Sequence, residues 1–274
     1  MPYLTTKDNV NLYYKDWGQG RPVIMAHGWP LSADSFDDLS MAIADNGMRA
    51  ISYDRRGFGR SDQPKGGYDY DTLANDMASV IDATGANDVT LLGFSMGGGE
   101  VARYMSRFQA KNVKQAILIS SILPYLLKTN DNPDGVDPDV FTTMAAGIKE
   151  DRAKFWPGFF KDFFGISLIS HPVSDEVVAA ACMTSMSAGL LPTLACANAF
   201  SSTDFRPDLA AFNVPTLIIH GEADKTVPID ASSRRTAPGI PHAKFIEYDG
   251  APHGLLASHK DRLNGDIISF LRTM

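Results

Sequence analysis

One serine surrounded by glycines is the clearest sign of chemistry in this 274-residue sequence. The segment GFSMGGGE places Ser95 between Gly93 and Gly97, directly after the apolar run DVTLL. A dinucleotide-binding loop needs Gly-x-Gly-x-x-Gly, and a phosphate-binding loop ends in Gly-Lys-Ser or Gly-Lys-Thr; neither spacing is present. The pattern that remains, Gly-x-Ser-x-Gly between a strand and a helix, is typical of a nucleophilic serine held on a sharp turn.

A nucleophilic serine needs a general base, and the base needs an acid that orients it. After such a turn, the acid and then the histidine follow the serine along the chain. Asp224 in HGEADKTVP and His253 in DGAPHGL satisfy this order. Glu222 is the second choice for the acid, and Asp249 is disfavoured because it lies so near His253 in the chain. The sequence therefore predicts Ser95, Asp224 and His253 as a catalytic triad.

Acyl transfer also requires backbone N–H groups that stabilise a tetrahedral oxyanion. The predicted donors are Met96, which follows the serine, and Trp29, in the loop after the segment VIMAHG. Pro30 cannot donate because it has no N–H. Proline also restricts the residue before it. We expect Pro30 to aim the Trp29 carbonyl into the site.

The elements that must hold these residues alternate along the chain. Short apolar runs predict buried strands, and segments such as YDTLANDMASVIDATG, with apolar residues at near-helical spacing, predict helices. This alternation predicts an α/β fold with a mostly parallel, doubly wound sheet. Between residues 123 and 205 the pattern changes to helix-like segments rich in Phe, Trp, Met and Ala. We therefore expect a core formed by residues 1–122 and 206–274, with a helical cap inserted at 123–205.

The cap segment FWPGFFKDFFG suggests an apolar acyl or aryl pocket for a small, uncharged ester. Aromatic residues at helical spacing more often form plain core, so only some are expected to face the site. The predicted pocket residues are Pro30, Phe155, Phe159, Val227 and Ile229.

Several other residues favour structural roles. Arg55 and Arg56 in RRGFGRSD are expected to pair with nearby carboxylates, and His220 is expected to be a packed histidine at a strand end. Gly98 and Gly99 are expected to let the helix pack closely on the sheet.

The composition limits the kinds of partner that the protein is expected to bind. A net charge of -7 argues against nucleic acid or an anionic membrane as a partner, and no apolar run is long enough to cross a bilayer. The start does not have the pattern of a signal peptide, and Cys182 and Cys196 suit small buried hydrophobic positions. No His, Cys or carboxylate set has metal-site spacing. We expect a cytoplasmic protein without a metal, and a homo-oligomer remains open.

Taken together, these motifs make the sequence resemble the α/β-hydrolases. More narrowly, it resembles the bacterial cofactor-free haloperoxidases (perhydrolases), aryl esterases and γ-lactamases. The resemblance rests on HGWPLSADSF, YDRRGFGRSDQP, GFSMGGGE, HGEADKTVP and GAPHGL. It implies the α/β-hydrolase fold, the same triad and oxyanion donors, and no haem, metal or other cofactor. It also implies an acyl-enzyme formed from an ester, which water releases as an acid or hydrogen peroxide releases as a peracid.

Other functions remain open on the same scaffold. They are an amidase or γ-lactamase, a C–C hydrolase, a thioesterase, and a ligand-binding homologue with low turnover. An epoxide hydrolase or haloalkane dehalogenase of this fold would carry aspartate at the turn, so Ser95 argues against both.

Overall fold

The computed structural model describes residues 2–273. Within that range one sheet contains the strands β1 (Tyr3–Thr5), β2 (Asn11–Gly18), β3 (Pro22–Ala26), β4 (Arg49–Tyr53), β5 (Val89–Phe94), β6 (Val113–Ile119), β7 (Thr216–Gly221) and β8 (Lys244–Tyr248). The helices are α1 (Asp37–Asp45), α2 (Tyr70–Thr84), α3 (Met96–Arg107), α4 (Pro138–Phe163), α5 (Asp175–Ser187), α6 (Leu190–Ser202), α7 (Ser233–Gly239), α8 (Leu255–Ser258) and α9 (Lys260–Leu271).

The strands lie in the order β1-β2-β4-β3-β5-β6-β7-β8. Strands β1 and β2 pair antiparallel, as do β2 and β4, and every later pair is parallel. The predicted mostly parallel α/β sheet is therefore confirmed. Strands β3, β5 and β7 are buried along their whole length, as expected for strands covered on both faces.

The order of strands creates a crevice next to β3. The chain runs from β3 to β4 on one side, and β5 then lies on the other side of β3. Open α/β sheets bind ligands outside the carboxyl ends of their strands at such a reversal. The loop after β3 and the turn after β5, which contain Trp29 and Ser95, are thus neighbours at this crevice.

Helices α4 to α6 lie between β6 and β7, inside the segment predicted as a cap; the boundaries at residues 123 and 205 stay a prediction. Helix α4 is interrupted at Asp151 (φ -158°, ψ 91°). The Asp151 carboxylate accepts a hydrogen bond from the Lys154 N–H at 3.0 Å, which is the usual way to begin a helical segment.

No single helix within residues 2–273 is long and apolar enough to cross a membrane. Helices α5 and α6, bent by 102° at the break between them, meet that criterion only as a pair and only by length and composition.

Candidate active site

Ser95 occupies a strained turn between β5 and α3. Its backbone has φ 54° and ψ -118°, a region that residues other than glycine rarely adopt. The Ser95 N–H donates to the Ile119 carbonyl at the end of β6, at 2.8 Å. The neighbouring strand therefore holds the turn that the glycine–serine pattern predicted.

The glycines on both sides of the serine leave no room for a side chain. A Cβ on Gly93 would lie 2.5 Å from the Gly97 carbonyl oxygen. A Cβ on Gly97 would lie 2.1 Å from the Ala26 carbonyl oxygen at the end of β3. Helix α3 can approach the strands this closely only because both residues lack a Cβ.

Gly98 and Gly99 face different neighbours. A Cβ on Gly98 would lie 2.0 Å from the Ser121 hydroxyl, just after β6. A Cβ on Gly99 would lie 2.5 Å from the ring of Tyr70 on α2. The predicted close packing against the sheet therefore describes Gly98, whereas Gly99 packs on an aromatic ring.

The three predicted triad side chains form one hydrogen-bonded chain. His253 Nε2 lies 2.9 Å from Ser95 Oγ, and His253 Nδ1 lies 2.6 Å from Asp224 Oδ2. The side chains of His253 and Asp224 are fully buried. Glu222, the second choice for the acid, is exposed and lies 3.5 Å from Arg234 instead.

Other groups besides His253 hold the Asp224 carboxylate in place. Its Oδ1 accepts hydrogen bonds from the N–H groups of Thr226 (2.9 Å) and Val227 (2.8 Å). His220 Nε2 lies 3.0 Å from Asp224 Oδ2. His220 is buried, as predicted, but its contact with the triad acid was not expected from the sequence.

These neighbours keep Asp224 ionised. Burial alone would raise the pKa of this carboxyl, but His253 and His220 outweigh burial and lower the pKa of Asp224 to about 2. A charged acid in this position can orient the imidazole and stabilise its protonated form.

Two aromatic rings pack against the His253 imidazole. Its centroid lies 5.2 Å from that of Phe94 and 4.8 Å from that of Phe163. The His253 carbonyl accepts a hydrogen bond from Ser120 Oγ at 3.2 Å. The loop that carries the base is therefore fixed by both its ring and its backbone.

Two backbone N–H groups are placed to act as oxyanion donors. Met96 is the first residue of α3, where N–H groups have no partner within the helix. The Trp29 N–H has no acceptor among residues 2–273. Both residues line the same cavity as Ser95.

The Trp29 side chain is fixed by the cap. Its indole N–H donates to the Thr193 carbonyl of α6 at 3.0 Å, and its ring packs edge-on against Trp156, Phe159 and Phe200 at centroid distances of 5.3, 5.5 and 5.4 Å. The Trp29–Pro30 peptide bond is cis.

A cavity of about 460 Å³ opens onto Ser95. Phe155, Phe159 and Val227 line it, as predicted, whereas Pro30 and Ile229 are buried and are not among its lining residues. Further apolar residues come from the loop before α4 and from α4 and α6: Leu126, Val136, Val140, Phe141, Met144 and Phe200. The charged side chains in the lining are those of Asp162 and Lys225.

No cluster of three or more His, Cys, Asp or Glu side chains within residues 2–273 could hold a metal ion. Cys182 and Cys196 are both free thiols, and burial raises the pKa of Cys196 to about 12.

A strained serine turn, a buried histidine–aspartate pair and a largely parallel sheet define a serine hydrolase-type scaffold. Residues 21–260 match the family described as the alpha/beta hydrolase fold, and the chain belongs to that family.

The chain is also similar to individual proteins along its whole length. It is 41% identical over 273 residues to the non-heme chloroperoxidase of Kitasatospora aureofaciens, with 99% of each chain covered. It is 38% identical over 276 residues to the bifunctional esterase/perhydrolase of Acinetobacter calcoaceticus, with 100% of each chain covered. The crystal structure of a bromoperoxidase from Bacillus anthracis is 40% identical, has a TM-score of 0.95 and matches 99% of this chain and 100% of that one. The resemblance to haloperoxidases and perhydrolases that the motifs predicted is confirmed.

Proposed function

We propose that this protein hydrolyses small carboxylic esters through an acyl-enzyme on Ser95, and that it also transfers the acyl group to hydrogen peroxide. The hydrogen-bonded chain from Ser95 through His253 to Asp224, open to an apolar cavity, carries the proposal. The names of the haloperoxidase and esterase/perhydrolase relatives support the same pair of activities.

The first half-reaction forms the acyl-enzyme. Ser95 Oγ attacks the ester carbonyl while its proton passes to His253 Nε2, 2.9 Å away. The negative charge that develops on the carbonyl oxygen is stabilised by the Trp29 and Met96 N–H groups. His253 then gives its proton to the departing alcohol, and the acyl group remains bonded to Ser95.

The second half-reaction releases the acyl group. His253 removes a proton from water or from hydrogen peroxide, and the resulting nucleophile attacks the acyl carbon. The bond to Ser95 breaks and His253 returns the proton to the serine oxygen. Water yields a carboxylic acid, and hydrogen peroxide yields a peracid.

The cavity favours an uncharged substrate of modest size. A volume of about 460 Å³ with mostly apolar lining suits a short or ring-containing ester. The charged lining residues, Asp162 and Lys225, are exposed to solvent. Within residues 2–273 the rest of the lining has no charged side chain, so a charged group buried against it would be poorly solvated.

A panel of short esters, lactams and thioesters, run with and without hydrogen peroxide, tests the proposal. We expect steady-state ester hydrolysis, and peracid formation only when peroxide is added. Faster turnover of a lactam or thioester than of every ester would contradict it. A burst on p-nitrophenyl acetate without a steady state would indicate a ligand-binding homologue instead.

The residue after Trp29 should control the choice between the two acceptors. Pro30 fixes its own φ and restricts the Trp29 backbone, whose carbonyl we expect to accept a hydrogen bond from peroxide. Pro30→Leu should lower the ratio of perhydrolysis to hydrolysis, measured as peracid and acid formed from one ester. An unchanged ratio would show that Pro30 only shapes the loop.

A further inference from the structure

A buried ion pair joins the segment after β4 to helix α3. Arg55, which follows β4, and Glu100 on α3 are fully buried and form an ion pair. Arg55 Nε donates to Glu100 Oε1 at 2.5 Å, and the Tyr53 hydroxyl donates to Glu100 Oε2 at 2.5 Å. Neither the acylation nor the release step described above uses these residues.

The Arg55 guanidinium also reaches the loop after β3. The guanidinium Nη2 donates to the His27 carbonyl at 2.5 Å. The backbone N–H of Arg55 donates to His27 Nε2 at 3.0 Å. Because Nε2 accepts a hydrogen bond, the imidazole proton lies on Nδ1, which is 2.9 Å from the Gly28 carbonyl. Burial and the nearby Arg55 charge hold the pKa of His27 well below its usual range, so the ring stays neutral.

These contacts join the two segments that carry the proposed oxyanion donors. His27 lies two residues before Trp29. Glu100 lies four residues after Met96, one helical turn along the same face of α3. A single guanidinium therefore spans from the loop of one donor to the helix of the other.

Arginine is suited to such a connection. Its planar fork has donors in fixed directions, so its two acceptors are held in a fixed relative position. Buried ion pairs are expensive to desolvate, and apolar residues of similar volume often stabilise a fold as well or better. Stability alone is therefore a weak reason for this pair at this place.

We propose that Arg55 and Glu100 are positioning residues that set the spacing between the Trp29 and Met96 N–H groups. The proposal rests on the proposed function, because it concerns the oxyanion formed at Ser95. A misplaced donor weakens binding of the tetrahedral states and leaves ground-state binding nearly unchanged.

The neighbouring pair Arg56–Asp76 provides a matched control. Its side chains are also buried, with Arg56 Nε 2.6 Å from Asp76 Oδ2. Asp76 lies on α2, and the Arg56 guanidinium donates to Asp76 and Asp8, so this pair does not connect the two donor segments. Both pairs should respond similarly if burial of charge is all that matters.

The test compares Glu100→Gln with Asp76→Asn by melting temperature, kcat and KM on one ester, and the rate of labelling by an organophosphonate. We expect both variants to lose stability, since each removes the charge of a buried carboxylate that pairs with a buried arginine, although Arg56 keeps its second partner, Asp8. Only Glu100→Gln should lower kcat and the labelling rate, by about 10- to 100-fold, with KM changed by less than about twofold.

Two milder variants keep the test decisive if Glu100→Gln does not fold. Tyr53→Phe removes one hydrogen bond to the carboxylate, and Arg55→Lys keeps the charge without the fork. Each should lower kcat and the labelling rate with KM unchanged. The positioning role would be overturned if Glu100→Gln, Tyr53→Phe and Arg55→Lys, where folded, kept the wild-type kcat. It would also be overturned if Asp76→Asn lost as much kcat as they do. A wild type that neither turns over esters nor is labelled would overturn the proposed function itself.

Discussion

Asp224 is the residue on which the proposed base, His253, depends most. Four N–H groups surround its carboxylate, from Thr226, Val227, His220 and His253. Its negative charge fixes which nitrogen of His253 carries the proton, and so leaves Nε2 free to accept the proton of Ser95.

Asp224→Asn should leave the fold and KM largely unchanged but lower kcat by about 10³- to 10⁴-fold. The amide cannot stabilise a protonated imidazole and can impose the wrong tautomer on His253. Steady-state kinetics on one ester, with near-wild-type KM as the check on the pocket, measure this effect. A kcat within tenfold of wild type would assign the orienting role to another acid.

The same substitution tests the pH dependence of stability. The folded-state pKa of Asp224 is lowered from 3.8 to about 2, so its contribution is present above about pH 3.8 and is lost as the pH falls towards 2. Urea unfolding of wild type and Asp224→Asn should show the wild-type advantage shrinking below pH 4, by up to about 2 kcal/mol. An equal difference at pH 5 and pH 3 would contradict the lowered pKa.

At this scale the sequence predicts residue identities better than contacts. Chain order and loop position were enough to select Asp224 and His253. The contact of His220 with Asp224 depends on how the strand end of β7 packs against the following turn, and no spacing rule encodes that packing. Arg55 and Arg56 were predicted to find carboxylates, but their partners Glu100 and Asp76 are defined only by the folded arrangement.

Among the elements, α3 and β3 meet at a junction that leaves no room for a side chain. Gly97 brings the first turn of the helix against the Ala26 carbonyl, one residue before the loop that leads to Trp29. This close approach brings the helix that begins with Met96 next to the strand that leads to Trp29.

Gly97→Ala should destabilise the protein by about 1–3 kcal/mol, because its Cβ would meet backbone that cannot move aside. Gly265→Ala is the matched control, since a Cβ there meets nothing within 4 Å in the exposed face of α9. The control should gain about 1 kcal/mol. Chemical denaturation measures the free energy of unfolding of both variants. Equal effects at the two positions would contradict the lack of room for a Cβ at Gly97.

Strong local signals made most elements predictable. Apolar runs located the buried strands, and the glycine–serine pattern located the turn between a strand and a helix. The interruption of α4 at Asp151 was not predicted, because an aspartate on an exposed helical face and one that begins a new helical segment look alike in sequence. The two cases differ in the backbone conformation at Asp151, which is non-helical here.

For the whole molecule, the cavity is the feature that the sequence described least well. Its lining combines the loop after β3, the turn after β5, the segment before α4, helices α4 and α6, and the segment after β7. Pro30 and Ile229 were predicted to line it from their nearness to Trp29 and Asp224 in the chain. Each is buried without lining the cavity, because neighbouring positions along a loop do not share one face.

The triad itself is also a property of the whole molecule, since its members lie 129 and 29 residues apart in sequence (224 − 95 and 253 − 224). Mapping the adduct of an organophosphonate by peptide mass spectrometry tests the central claim directly. The wild type should carry one adduct on the peptide containing Ser95, and Ser95→Ala, folded with an unchanged melting transition, should carry none. Stoichiometric labelling of Ser95→Ala, or an adduct on another residue of the wild type, would contradict the assignment of Ser95 as the nucleophile.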